Sequence, residues 1–332
     1  MLSPRAIAIL LKHFDAIDEA VSRRMIRKRP WTEEALTGLF CDLLDGDTQI
    51  EENVSYTLQQ VQEDFAKSDE PLSIRFRIET RQYPKHLERW VTQSDLGLII
   101  NYENQFAPAY SVRRAWLLQA KRVFPMADDN YGVDSEFKST DAAQTERMKA
   151  LRDWAGMDFI RFLLYCPRPK GLKPSVREAL NQMRTNALGG QIFDYTLGLQ
   201  LRDDLLSPNP TIAAGLFVAD LDAMPKTLGE AHAHLFDTST PFSWFIVQHL
   251  SRNGPFLDRH RLHERAPDDL DGSSPRAKDV ERLVRGDHRV LETRNLPESL
   301  SGEMPPRVLP QYVIEVSVIS GLDRPRLGIG VG

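Results

Sequence analysis

Apolar and polar residues alternate without a break in LSIRFRIET, residues 72–80. Successive side chains of a strand point to opposite faces, so this segment predicts a β-strand with one buried face. YVIEVSVIS, residues 312–320, has a similar alternating pattern and predicts a second such strand. The chain therefore contributes at least two half-buried strands to a sheet.

Apolar residues at spacings of three and four predict an amphipathic helix over residues 3–26. Ser3 is a suitable N-cap, and Pro4 suits the first helical position because that position needs no N–H donor. A second helix is predicted over 33–45, with Thr32 as its cap.

The remaining apolar segments complete an alternation of strands and helices. We predict strands that begin at Ser94, Ala115 and Phe159, helices over 84–91 and 142–154, a further strand from Thr211 and a buried helix from Pro241. Residues 264–277, ERAPDDLDGSSPRA, predict a linker or surface loop. This order favours an α/β fold, with residues 1–170 as its core and 171–332 as an α+β elaboration or second domain.

Composition and charge narrow the class of protein. The chain has 332 residues, a formal net charge of −5 and two cysteines. Two cysteines are too few for a disulfide framework or a four-cysteine zinc site, and we expect Cys41 and Cys166 to be unreactive core thiols. The sequence contains no apolar run of 18 residues, so we expect a soluble cytoplasmic protein without a membrane partner. An acidic protein that binds nucleic acid must do so through a local basic patch.

Candidate chemistry lies in two of the predicted strands. Asp95 begins one, and Gln119-Ala120-Lys121 lies in the next. Gln119 and Lys121 share a face because they are two residues apart in a strand. If the two strands are adjacent, Asp95 joins that pair. Carboxylate and amide oxygens suit Mg²⁺, and a lysine beside them suits phosphodiester hydrolysis.

The order Glu33, Asp95, Gln119-Ala120-Lys121 resembles the PD-(D/E)XK nuclease superfamily. The resemblance implies a restriction-endonuclease-like core, in which helices flank a mixed central sheet. More narrowly, the sequence is similar to nuclease domains of prokaryotic anti-phage defence systems. The shared features are EEALT at 33–37, a Ser-Asp pair, the Q-x-K strand and a later Gln144 before an apolar strand. It covers about residues 30–168, and Gln119 stands where the family usually has a carboxylate.

The resemblance also implies roles for single residues. Glu33, Asp95 and Gln119, with the Ala120 carbonyl, would hold Mg²⁺ or Mn²⁺, and Lys121 would be the catalytic lysine. Gln144 would orient water or the phosphate. Glu33 continues the apolar face of its helix, whereas Glu34 lies about 100° away, so we prefer Glu33 and keep Glu34 as the alternative.

The basic run RRMIRKR at 23–29 has two interpretations. Arg27, Lys28 and Arg29 could contact phosphates beside the site, or they could be a solvated helix end that complements the helix dipole. The histidines, among them His232 and His234, do not have the HExxH spacing of a zinc site and are predicted to be surface residues.

The sequence therefore favours a metal-dependent endonuclease, with DNA rather than RNA as substrate, in anti-phage defence. Cleavage of both strands by a single-site enzyme implies a homo-oligomer, and defence nucleases often work with a separately encoded ATPase or sensor subunit. The alternative is a non-catalytic nucleic-acid-binding or regulatory subunit on a degenerate nuclease scaffold, which the uncharged Gln119 and the acidic net charge permit.

Overall fold

A computed structural model describes residues 2–27, 29–49, 54–67, 73–82, 95–138, 142–189, 195–250, 275–287, 289–292 and 310–321. Its helices are α1 (Pro4–Ser22), α2 (Glu33–Leu44), α3 (Leu58–Ala66), α4 (Ala142–Ala155), α5 (Pro174–Leu188), α6 (Tyr195–Leu205), α7 (Leu228–Ala233), α8 (Phe242–Gln248), α9 (Pro275–Val284) and α10 (Arg289–Glu292). Its strands are β1 (Ser73–Gln82), β2 (Leu96–Asn104), β3 (Val112–Arg122), β4 (Ile160–Tyr165), β5 (Leu216–Asp220), β6 (Ser239–Pro241) and β7 (Tyr312–Gly321).

The described strands form one mixed sheet of seven strands in the order β1-β7-β2-β3-β4-β5-β6. The pairs β2–β7 and β3–β4 are parallel, and the other four pairs are antiparallel. Helices flank this sheet, so the predicted α/β class with a mixed central sheet is confirmed. β3 is the fourth of the seven strands, which agrees with its almost continuous apolar sequence.

The C-terminal strand β7 lies inside the sheet, between β1 and β2. Its Val316 is opposite Ile78 of β1 and Ile100 of β2. β5, β6 and β7 all follow residue 170, so the sheet takes strands from both sides of the domain boundary that the sequence suggests. α9 also packs close to β2, because a Cβ added at Gly97 would lie 2.6 Å from the carbonyl oxygen of Val284.

α1 begins as predicted but ends four residues early. Ser3 caps it, accepting the Ala6 N–H at 3.0 Å. The helix stops at Ser22 because the chain tightens into turns, in which the N–H of Arg24 donates to the carbonyl of Val21 and that of Met25 to Ser22. Arg23 is the C-cap of α1, and the other described residues of the basic run lie in the turn that follows the helix.

α2 is fixed against the sheet at its first turns. The Thr32 side chain caps the helix by accepting the Ala35 N–H at 3.3 Å. The hydroxyl of Thr37 lies 3.0 Å from the hydroxyl of Tyr165, the last residue of β4. These contacts place Glu33, the first residue of α2, near the ends of β3 and β4.

Buried polar groups support the first helix. Asp18 accepts the N–H groups of Gly215 and Leu216 at 2.7–3.0 Å and lies 3.6 Å from the guanidinium of Arg168. His13 is fully buried, with Nδ1 3.0 Å from the carbonyl oxygen of Tyr56. Each of these bonds joins α1 to a distant part of the chain.

Several other sequence predictions can be compared with the structure. Cys41 and Cys166 are buried free thiols, as expected. His232 is completely buried against Phe217, so its prediction as a surface residue is wrong. The predicted helix over 84–91 lies outside the described residues. Of the predicted linker 264–277, only 275–277 are described, and they begin α9.

Within the described ranges, no helix has the length and apolar character needed to cross a bilayer.

Candidate active site

The candidate site lies at the end of β3, where that strand continues past its neighbour. β2 begins at Leu96, which pairs with Leu118, so the last residues of β3 have no strand on that side. Two carboxylates take its place. The N–H of Ala120 donates to Oδ2 of Asp95 at 2.8 Å, and the N–H of Arg122 donates to Oε1 of Glu33 at 3.1 Å. Side chains thus satisfy backbone groups that a strand would otherwise pair.

Asp95 and Gln119 are in direct contact across this edge. The amide nitrogen of Gln119 lies 2.5 Å from Oδ2 of Asp95 and 3.5 Å from the carbonyl oxygen of Ala120. From the bond lengths of an amide, its oxygen lies within about 5 Å of the same carboxylate oxygen. Two oxygens that bind one Mg²⁺ ion are at most about 4.2 Å apart. The Gln119 amide would therefore have to turn its oxygen toward Asp95 for the two side chains to share a cation.

The oxygen of the Gln119 amide has no hydrogen-bond partner. It is Oε1 of a side chain that is 4% exposed, and a buried acceptor without a donor is uncommon because it loses its hydrogen bonds to water. A bound cation would satisfy this oxygen. The unpartnered atom therefore fits the metal site that the sequence predicts.

The electrostatics of the edge also favour a cation. The pKa of the Asp95 carboxyl is raised to about 7, chiefly by burial and also by the negative charge of Glu33. The Ala120 N–H and the positive charge of Lys121 act in the opposite direction. A buried carboxylate beside a second one is costly unless positive charge compensates it.

Of the two glutamates, Glu33 is the one that reaches β3. It is half-buried and contacts the N–H of Arg122, whereas Glu34 is exposed. The Ala120 carbonyl lies on the same edge of β3 as the Ala120 N–H, because both groups of one residue point to one side of a strand. The oxygens at this edge therefore come from Asp95, Glu33, Gln119 and Ala120.

These oxygens include only two carboxylates. Among the described residues, no three His, Cys, Asp or Glu side chains come together as a group that could hold a metal ion. Any ion at this edge would consequently take amide and carbonyl oxygens in addition to Asp95 and Glu33, a set that suits a hard cation such as Mg²⁺.

Lys121 follows on the same face of the sheet as Gln119. Its side chain is half-buried at the end of β3, and its charge acts on the Asp95 carboxyl. Gln144 is 8% exposed in the first turn of α4, and its role in the site stays a prediction.

The predicted phosphate-contacting residues come shortly before α2 in the chain. Arg27 and Arg29 are exposed, and Lys28 lies outside the described residues. The Arg27 guanidinium lies 5.8 Å from the centroid of the Trp31 ring, two residues before Glu33. The run therefore stands close to the candidate site along the chain.

Sequence reasoning missed Arg122, although it directly follows Lys121. Its backbone N–H holds Glu33, and its guanidinium donates to the carbonyl of Trp31 at 3.0 Å while lying 4.0 Å from the centroid of Phe124. The signal was present, since an arginine that ends a buried strand stands at the same sheet edge as the lysine before it. No protein-family model, curated protein or solved structure matches the chain.

Proposed function

We propose that this chain is a divalent-metal-dependent nuclease, with its active site at the end of β3. The observation that carries the proposal is the Gln119 amide, whose nitrogen contacts the Asp95 carboxylate and whose buried oxygen has no hydrogen-bond partner. A lysine on the same face and a glutamate from α2 complete a set of groups that phosphodiester hydrolysis requires.

The residues that would hold Mg²⁺ or Mn²⁺ are Asp95, Gln119, Glu33 and the carbonyl of Ala120. A divalent ion bound there would neutralise phosphate charge and lower the pKa of its water. Gln119 needs only a rotation of its amide to turn its oxygen toward Asp95. The Ala120 N–H fixes the Asp95 carboxylate, and the Arg122 N–H fixes that of Glu33, so backbone groups orient both charged ligands.

Lys121 would act on the substrate rather than on the fold. Its ammonium group orients the attacking water or stabilises the negative charge that develops on the phosphate. Lys121 is half-buried at the end of β3, and its positive charge acts on the Asp95 carboxyl.

The biological context follows from the resemblance to nuclease domains of anti-phage systems. On that basis the substrate is DNA rather than RNA, and the protein acts in the cytoplasm. One site cuts one strand, so cleavage of a duplex requires two copies or a larger assembly. A separately encoded ATPase or sensor is the expected partner.

A second candidate function is a nucleic-acid-binding subunit without catalysis. The observation that favours it is the amide of Gln119, which supplies no charge where a carboxylate would bind the cation more strongly. Such a subunit would bind nucleic acid without cutting it in Mg²⁺ or Mn²⁺.

The two functions are separated by incubating the purified protein with plasmid DNA and with RNA. Reactions contain Mg²⁺, Mn²⁺ or a chelator, and Asp95→Asn serves as the matched variant because it keeps the shape of the side chain. The nuclease proposal expects products with either metal and none with the chelator or with Asp95→Asn. Binding without products in every reaction supports the second function.

A further inference from the structure

We infer that cations stacked on Trp31 and Phe124 form a phosphate-binding track beside the candidate active site, an inference that rests on the proposed function for its ligand, nucleic acid. The track consists of Arg27, Trp31, Arg122, Phe124 and Lys138. It extends the predicted basic run to residues of β3 and of the loop that follows it.

The track is continuous in space. The Arg27 guanidinium lies 5.8 Å from the ring centroid of Trp31. The Arg122 guanidinium donates to the Trp31 carbonyl at 3.0 Å and lies 4.0 Å from the centroid of Phe124. The Lys138 ammonium lies 4.1 Å from that same centroid. Arg122 thus links the backbone of Trp31 to the ring of Phe124.

Aromatic partners leave the charge of a cation available. A carboxylate would also fix an arginine or lysine side chain, but it would cancel the positive charge. The face of an aromatic ring attracts a cation within about 6 Å without neutralising it. Of the ion pairs found between described residues, none involves Arg27, Arg122 or Lys138. Within the described part of the chain, no carboxylate therefore cancels these positive charges, and they can meet phosphates.

Hydrogen bonds hold the track together and join it to the site. The Tyr131 hydroxyl donates to the carbonyl of Met25 at 3.2 Å, which ties the loop after β3 to the turn after α1. The Arg122 N–H donates to Glu33, a proposed metal ligand. Lys121 and Arg122 are consecutive, so their side chains leave β3 on opposite faces at the point where the strand ends.

The occupant that fits this surface is the phosphate backbone of nucleic acid. The protein carries a net charge of −5, so a polyanion needs a local positive surface to approach the site. The described part of the loop after β3 also carries four acidic residues, of which Asp128 lies 3.7 Å from the Lys173 ammonium. The phosphates next to the cleaved bond would lie along this track, at the end of β3 and beside α2.

The test is the salt dependence of binding in the presence of a chelator, which separates binding from cleavage. The probes are a 20-base-pair DNA duplex and a 20-nucleotide single strand, both fluorescently labelled. The variants are Lys138→Gln and Arg27→Gln. The matched control is Lys67→Gln, which removes the same charge from an exposed lysine that pairs with Glu63 on α3.

Each lost phosphate contact should reduce the slope of log affinity against log salt by about 0.9 for the duplex and by about 0.7 for the single strand. Phe124→Leu keeps every charge and an apolar side chain, and it should weaken binding about two- to fivefold through loss of the ring. Lys67→Gln should leave slope and affinity unchanged.

The outcomes distinguish this inference from the proposed nuclease activity. Slopes for Lys138→Gln and Arg27→Gln equal to that of Lys67→Gln overturn the track, even if the wild-type protein cleaves nucleic acid. Reduced slopes support the track, even if the wild-type protein cleaves nothing. Absence of binding to both probes overturns the track as well.

Discussion

The side-chain amide of Gln119 lies 2.5 Å from Oδ2 of Asp95, and the same carboxylate oxygen accepts the N–H of Ala120 at 2.8 Å. The two side chains are 24 residues apart in the sequence and meet because β2 begins where β3 still has residues to pair. Their contact brings the oxygens of both side chains to the end of β3, where that strand has no β2 residue to pair with. The proposed metal site depends on this relationship.

Lys121→Ala should reduce metal-dependent cleavage about 10²- to 10³-fold, because it removes a charge that acts on the phosphate. Since the side chain is half-buried at the end of a strand, the fold should remain intact. Cleavage rates and circular dichroism of the purified variant measure the two effects. Lys67→Ala is the control for the loss of one lysine, and Lys121→Ala with the wild-type rate would show that this lysine is not catalytic.

Gly97→Ala should lower the free energy of unfolding by about 1–3 kcal/mol, because the added methyl group would lie 2.6 Å from the carbonyl oxygen of Val284 and force a shift of α9 or β2. Gly46→Ala is the matched control, since its nearest atom would be a side-chain carbon of Leu58 at 3.6 Å, an ordinary contact. Urea unfolding measures both. Equal midpoints for the two variants would contradict the close packing of α9 on the sheet.

His13 should make the stability of the protein depend on pH. Burial lowers the pKa of this histidine to about 4, and the bond to the Tyr56 carbonyl only partly offsets that effect. Between pH 6.5 and pH 4 the unfolded chain binds a proton that the folded chain does not. The contribution of His13 to stability should therefore fall as the pH falls through this range, by up to about 3 kcal/mol.

The contribution of His13 is isolated by urea unfolding of the wild type and of His13→Asn at pH 7 and at pH 5. Asparagine retains a side-chain N–H but does not titrate in this range. The free energy of unfolding of the wild type, relative to that of the variant, should be lower at pH 5 than at pH 7. The same loss in both proteins would mean that His13 becomes protonated in the folded state.

Local patterns predicted the strands and the first helices well. The alternation at 72–80 is confirmed by β1, and β3 occupies the central position that its apolar residues indicate. The sequence also placed Asp95 beside Gln119 on the condition that β2 and β3 are neighbours, and the register meets that condition. Each of these predictions depends on residues close together in the chain.

The arrangement of distant segments could not be predicted. The pattern at 312–320 indicates a strand, but nothing in it specifies pairing with β1 and β2, which lie more than 200 residues earlier. α5 was missed because only Leu180 and Arg184 of its side chains are buried, so its apolar periodicity is weak. α3 was missed despite a capping box formed by Thr57 and Gln60, a signal that the sequence does contain.

The most direct test of the proposed active site is the rate of nucleic-acid cleavage as a function of Mg²⁺ concentration for the wild type and for Gln119→Glu. The substitution replaces an amide, whose nitrogen contacts Asp95 and whose oxygen has no partner, by a negatively charged carboxylate. If this side chain faces the ion, the half-saturating Mg²⁺ concentration should fall while cleavage is retained. A wild-type protein without metal-dependent cleavage, or a folded Gln119→Glu variant that needs more Mg²⁺, would contradict the proposed site.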